Sequence, residues 1–437
     1  MEALRMYRKA LKELMEWRIS PRRKPLVLRG ARQVGKTWLM KELAQTYDDS
    51  AYISFDKDAD AVKIFDETKN PKLILERLAL IRNKIILPEK TLIILDEIQE
   101  CPNALGSLKY FNEEANEYHV ITAGSLLGTY LSKPASYPVG KVNLLNIYPL
   151  SFEEYLAAAD GGMYQYYCGI KSGKDYVAAF HEKMTEHYKK YLIIGGMPEC
   201  VQSWINNSDP EEISAIQNEI ISFYENDFTK HSGKISSGRI LQVFRSIVPQ
   251  LAKENNEKFM YAAIAKSARA KDFEDAIEWL ISSGIAYRIL NVSKPEYPLK
   301  AYEILNYFKL FLLDVGLIKH IAGLTNKSIL LSEGFQFKGQ LAENYVLEQL
   351  MPLLDNAPNF YAFAQEREID FILQHGETVI PVEVKSGESK NAVSFKSYIE
   401  KHKPETAVRF SVKEYLKNGA ITNIPLYFAG KMFELIK

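Results

Sequence analysis

Three groups of residues in this chain have types and spacings that could do chemistry. The first is Gly30-Ala31-Arg32-Gln33-Val34-Gly35-Lys36-Thr37, an octapeptide of the form G-x-x-x-x-G-K-[ST], with Trp38 directly after it. Glycines in such a loop let backbone N–H groups close around phosphate oxygens at a helix N-terminus, where the dipole also favours an anion. Lys36 would reach the β- and γ-phosphates and Thr37 would offer a hydroxyl to Mg²⁺. The second group is Thr91-Leu92-Ile93-Ile94-Leu95-Asp96-Glu97, an apolar run ending in two acids, the first of them 60 residues after Lys36. Asp96 would hold Mg²⁺, usually through water, and Glu97 would polarise an attacking water. Adjacent acids at a strand end are often merely solvated, but here they follow the phosphate loop in the expected order.

The third group lies near the C-terminus. Asp370, in Glu368-Ile369-Asp370-Phe371-Ile372, is followed across a His375-Gly376 turn by Glu383 and Lys385, giving D-x₁₂-E-x-K. Alternation along a strand puts Glu383 and Lys385 on one face, and a paired strand can bring Asp370 to it. Two carboxylates to hold Mg²⁺ and a lysine to position water are what metal-assisted phosphodiester hydrolysis requires. Glu343, on the preceding helix, would add a further acid to the metal shell. The competing reading is a hairpin with charged residues on its wet face.

The elements that must position these groups follow from the hydrophobic pattern. Over the first 155 residues, short apolar runs alternate with amphipathic stretches, which predicts an α/β unit with a mainly parallel sheet. Strands are expected at Pro25 to Arg29, Ala51 to Phe55, Thr91 to Leu95 and His119 to Thr122, and a helix at Trp38 to Tyr47. Ser125, or Thr122, just after the last of these strands, would sense the γ-phosphate or cap the next helix. No clear arginine finger is present; Lys141 stands where one would be sought, and it lacks the planar fork of arginine. A helical region follows, then helices near Ile240, Met260 to Arg269 and Asp272 to Ser283 and strands at Ala286 to Val292 and Leu299 to Ile304, an order that suggests a winged helix-turn-helix. A helix around Leu341 to Leu354 leads into the C-terminal strands. The division expected is 1–160, 161–325 and 326–437.

Composition limits the partners. At roughly 150 residues per domain, 437 residues suggest about three domains. Lys and Arg number 55, as do Asp and Glu, so no global charge draws the chain to nucleic acid or anionic lipid. Residues 1 to 36 nevertheless carry 11 basic residues against 3 acidic ones. That is a candidate nucleic-acid patch or a solvated basic helix face. The would-be recognition helix carries Asp272, Glu274, Asp275 and Glu278, which phosphate would repel. Apolar runs fall far short of the roughly 20 residues of a membrane span, and the N-terminus has no apolar core of a secretory signal. Cys101, Cys168 and Cys200 have neither disulfide-framework nor zinc spacing. A cytoplasmic protein without a membrane partner is expected.

The GARQVGKT loop, the LIILDEIQ strand, ITAGSLL, Tyr148-Pro149-Leu150-Ser151-Phe152 with Glu153-Glu154, the GGMPE turn and the FKLFLLDVGL segment together resemble a family of prokaryotic AAA+-like P-loop ATPases. The resemblance implies an ATPase domain, a helical and winged-helix middle, and a C-terminal domain of unknown function with a restriction-endonuclease-like fold. The C-terminal motif is similar to the PD-(D/E)XK nucleases, which carries metal binding onto Asp370, Glu383 and Glu343 and a positioning role onto Lys385. Three functions stay open: an Mg²⁺-dependent ATPase whose nucleotide state gates the other parts, with DNA as a candidate partner; a nuclease licensed by ATP; and a nucleotide-held switch for protein partners. An oligomer could supply an arginine in trans. No N-K-x-D signature follows the acidic strand, so ATP rather than GTP is expected.

Overall fold

Leucine and β-branched runs without polar alternation ask for strands covered on both faces. Five of them form a parallel sheet: β1 (Leu26–Arg29), β2 (Asp49–Ser54), β3 (Thr91–Asp96), β4 (His119–Ala123) and β5 (Asn143–Asn146), in the order β2-β3-β4-β1-β5. The computed structural model describes residues 6–124, 138, 140–231, 235–252, 258–265, 268–331, 337–363, 367–387 and 393–437. They form two units, Arg8–Tyr148 with Ser282–Ile285, and Pro149–Ile281 with Ala286–Lys437. No helix among the described residues is long and apolar enough to cross a membrane.

In the first unit every residue of β3 is buried, and Ile93 and Leu95 pack with Val27, Ile53, Phe65, Leu105 and Phe111 in one core. Helices α1 (Ala10–Ile19) and α2 (Lys36–Ala44) flank β1 in sequence. The acidic strand β3 is not adjacent to the phosphate-loop strand β1, because β4 lies between them. The basic N-terminal segment is largely consumed by the fold. The buried Arg8 donates to the Val34 carbonyl at 2.9 Å and the Tyr148 carbonyl at 2.8 Å, and Arg23 donates to the Asn116 carbonyl at 2.8 Å. Arg18 lies over the Tyr47 ring, and Lys24 donates to the Gly140 carbonyl.

The second unit begins with helices Phe152–Ala159 and His181–Ile194, and continues with Pro198–Asn207, Pro210–His231 and Ser237–Leu251. The expected helix at Met260 to Arg269 is replaced, over 260–265, by a single 3-10 turn at Tyr261–Ala263; helix Ala270–Ser282 follows and buries Phe273, Ile277 and Leu280. The hairpin strands are β6 (Ala286–Val292) and β7 (Glu303–Leu312), so the strand expected from Leu299 to Ile304 starts later, after a 3-10 turn at Leu299–Tyr302. The hairpin does not stand apart, since β6 also pairs with β8 (Asn359–Phe363). The mixed sheet then runs through β9 (Arg367–His375), β10 (Thr378–Lys385), β11 (Ala407–Ser411), β12 (Leu416–Asn418) and β13 (Ile421–Pro425), in the order β12-β13-β11-β10-β9-β8-β6-β7.

Three segments that stand far apart in sequence meet around Asp314. Its carboxylate caps helix Val315–Ile321 by accepting from the Leu317 N–H at 2.9 Å, and it accepts from the Gly196 N–H at 2.6 Å. Burial pushes this carboxyl up to about 6 against those backbone donors. Glu348, on helix Lys338–Leu350, accepts from the Tyr191 hydroxyl at 2.6 Å and the Val315 N–H at 3.0 Å, while Gln349 accepts from the Phe152 N–H at 2.8 Å. The approach leaves no room for side chains in the Gly195-Gly196 turn: a Cβ on Gly196 would lie 2.2 Å from the Leu150 carbonyl oxygen. Gly196→Ala is therefore expected to destabilise this unit by about 2 kcal/mol or more. Gly161→Ala, where a Cβ meets nothing within 4 Å, should leave it intact. Urea unfolding of both variants checks this.

Candidate functional site

The phosphate-loop geometry grows from its glycines. Gly30 leaves β1 at φ +146°, and a Cβ there would meet the Ile147 carbonyl oxygen at 2.2 Å. Gly35, at φ +93°, sits at the N-cap of α2, and Gln33 takes a left-handed φ of +65°. Such backbone values in a short loop aim successive N–H groups inward. Val34 and Ala31 are buried, and the Val34 carbonyl is the one that Arg8 holds. Arg32 and Trp38 are half-buried, and Gln33 is exposed. Lys36 is buried, and its ammonium donates to the Gly30 carbonyl at 2.9 Å and the Ala31 carbonyl at 2.7 Å. Burial lowers Lys36 to about 8, although Glu97 and Asp96 oppose the shift.

One strand away, β3 delivers its acids to the same place. Thr37 Oγ1 donates to Asp96 Oδ2 at 2.8 Å, which joins the first residues of α2 to the end of β3. The Glu97 N–H donates to Asp96 Oδ1 at 3.0 Å, and Glu97 itself has a left-handed φ of +52°. Non-glycine residues at such φ values cost of order 1–2 kcal/mol and cluster at functional sites. Two further side chains take part that the motif reading missed. Tyr52 OH donates to Asp96 Oδ2 at 2.8 Å, and the buried Gln99 donates from Nε2 to Glu97 Oε2. The signal for Gln99 was in the sequence, two residues past Glu97; Tyr52 could be found only once β2 was placed beside β3.

Two expected residues do not join the group. Thr122 is fully buried and donates to the Leu95 carbonyl at 2.6 Å, so it stitches β4 to β3 and is no γ-phosphate sensor. Lys141 pairs with Glu113 at 2.8 Å and precedes β5, whose parallel register with β1 puts it at the sheet edge opposite the phosphate loop. Ser125 lies outside the described residues.

In the second unit the C-terminal charges converge as a larger set than the motif named. Lys385 Nζ pairs with Glu383 Oε1 at 2.5 Å, and the Val384 N–H donates to Asp370 Oδ2 at 2.6 Å. Lys309, buried on β7, pairs with Glu368, which shares a face of β9 with Asp370. Burial first, and Asp370 next, raise Glu343 and Glu383 well above the usual carboxylate range, and burial raises Asp370 as well. Burial works against the charge of Lys309, but Glu368, Glu343 and Asp370 hold it above its ordinary value. Glu383 Oε2 is buried with no hydrogen-bond partner. Among the described residues, no group of three or more His, Cys, Asp or Glu side chains is assembled to hold a metal ion. The carboxylates of this cluster thus meet lysines, while the Thr37 and Asp96 oxygens of the first unit suit an Mg²⁺ whose shell is completed by phosphate and water.

Residues 22–156 match the AAA domain family, residues 185–328 match a domain of unknown function, DUF8612, and residues 338–428 match another, DUF4143. No curated protein matches the chain. Solved structures with partial likeness include PCH-2 of C. elegans, at 16% identity and TM-score 0.27 over 44% of this chain, which spans only 57% of that one. The ORC1 protein of Aeropyrum pernix, solved in complex with DNA, has 12% identity and TM-score 0.28 over 74% of this chain and 93% of its own. AMPPCP-bound DnaA of Aquifex aeolicus has 14% identity and TM-score 0.24 over 61% of this chain and 73% of its own. Superpositions this partial carry no argument about activity. The family match and the loop and sheet geometry together make the N-terminal part of this chain a P-loop AAA+-like domain.

Proposed function

We propose that this protein is an Mg²⁺-dependent ATPase whose nucleotide state is read by the helical, winged-helix-like and nuclease-like parts of a chain divided at about 160 and 325. The observation that carries the reading is the Thr37–Asp96 hydrogen bond at 2.8 Å beside a phosphate loop with Lys36 at its centre. In it, the loop N–H groups and Lys36 bind the β- and γ-phosphates, and Thr37 and Asp96 hold the metal. Bound Mg²⁺ would neutralise the charge that develops on the phosphates. Glu97, oriented by Gln99, accepts the proton of the attacking water.

A second reading concerns the C-terminal cluster and rests on the buried, unpartnered Glu383 Oε2, whose carboxyl feels Asp370. We propose it as a phosphodiesterase site only in an arrangement in which Lys385 leaves Glu383. Cleavage of DNA that needs Mg²⁺ and is lost in Asp370→Ala supports it. Wild-type protein that leaves single- and double-stranded DNA intact with ATP and Mg²⁺ removes it.

Lys36→Ala should weaken ATP binding or turnover by about a hundredfold or more. Glu97→Gln should keep ATP binding and lower turnover by about a hundredfold or more, measured by phosphate release with and without DNA. An unchanged rate in Glu97→Gln would take that residue out of its role. Because Lys36 stands at about 8 and phosphate is held by its charged form, binding above that pH must take up a proton. ATP affinity should therefore fall by about twofold between pH 7 and 8 and by up to roughly tenfold per unit above, read by calorimetry.

A further inference from the structure

The Asp96 carboxylate is gripped from three elements. Oδ1 accepts from the Glu97 N–H at 3.0 Å, and Oδ2 accepts from both Thr37 Oγ1 and Tyr52 OH at 2.8 Å each. An ionised carboxylate offers about four lone-pair directions. Protein donors take three of these, which leaves one direction for a cation or its water.

Tyr52 is placed for this by the sheet. It lies on the edge strand β2 in register with Ile94, two residues before Asp96. Its ring lies beneath the Lys41 ammonium, 5.1 Å from the centroid, and Lys41 is one helical turn beyond Thr37 on α2. Thr37, Asp96, Tyr52 and Lys41 thus close a ring that ties the helix of the phosphate loop to two strands.

We propose that Tyr52 is the positioning residue for the metal ion of the nucleotide site: its hydroxyl fixes the Asp96 carboxylate so that one lone pair is presented to the ion or its water. The inference rests on the nucleotide reading above. Groups that orient a metal-binding carboxylate are typically worth ten- to a hundredfold in metal affinity. Without Tyr52, Oδ2 would keep one of its two protein donors, Thr37, while the Glu97 N–H would still hold Oδ1.

The test uses the full chain, Mn²⁺ as a paramagnetic probe and AMPPCP as a nucleotide that is not turned over. Wild type, Tyr52→Phe and Asp96→Asn are compared by electron paramagnetic resonance, and AMPPCP affinity is measured separately in EDTA. Tyr52→Phe removes only a hydroxyl. It should weaken nucleotide-dependent Mn²⁺ binding by about tenfold or more and leave the affinity in EDTA unchanged. The Mg²⁺ concentration for half-maximal turnover should rise by a similar factor. Wild-type Mn²⁺ affinity in Tyr52→Phe, with loss in Asp96→Asn, overturns the role of Tyr52 and leaves the nucleotide reading standing. Equal loss of AMPPCP binding with and without metal in Tyr52→Phe also overturns it, by making the residue structural. Absence of nucleotide-dependent Mn²⁺ binding in wild type, or its persistence in Asp96→Asn, overturns the nucleotide reading itself.

Discussion

A carboxylate at the end of a buried strand must be answered by donors, because an ionised group away from water is expensive unless it is hydrogen-bonded. Asp96 is answered by Thr37 from α2, Tyr52 from β2 and the Glu97 N–H. Those bonds fix where the phosphate loop stands against the sheet, and they hold the acid that follows in a backbone conformation few residues adopt. The geometry of the candidate site is tied to this one group as well as to the loop. Arg8 braces the loop from the other side through the Val34 and Tyr148 carbonyls.

The second unit solves the same problem with Asp314 and Glu348. Both are buried carboxyls raised by that burial, and both are met by backbone N–H groups or the Tyr191 hydroxyl. Buried polar groups of this kind are costly to leave without their partners. That accounts for the glycine pair at 195 and 196, where the chain must come within reach of Asp314 and the Leu150 carbonyl. Farther along the sheet, Lys309 and Lys385 answer Glu368 and Glu383. A strand of the middle region is thereby built into the C-terminal cluster.

Much of the candidate nucleotide site was legible because its chemistry is local. A loop, its lysine and its threonine are consecutive, and the acidic strand announces itself by an apolar run that ends in Asp96-Glu97. Strand positions in the first unit followed for the same reason, with β3 and β4 beginning where their apolar runs do. The Met260 to Arg269 stretch misled because alanine-rich text has helical propensity, yet propensity is a weak prior and over 260–265 the chain makes only a short 3-10 turn. Lys141 misled because sequence distance says nothing about which edge of a parallel sheet a residue reaches.

The sequence by itself determined the phosphate loop, the acids of β3, the alternation of strands and helices, and the hairpin that pairs Asp370 with the backbone beside Glu383. Each depends on neighbours within a few residues or on a period of 2 or 3.6 that side chains must obey. Only the tertiary structure decided the insertion of β4 between β3 and β1, the Tyr52 bond to Asp96, the burial of Thr122, the convergence on Asp314, and the entry of Lys309 among the C-terminal acids. These contacts join residues tens to more than a hundred positions apart. No local pattern encodes them, because they arise when separate strands and helices exclude water together and their buried polar groups must find partners.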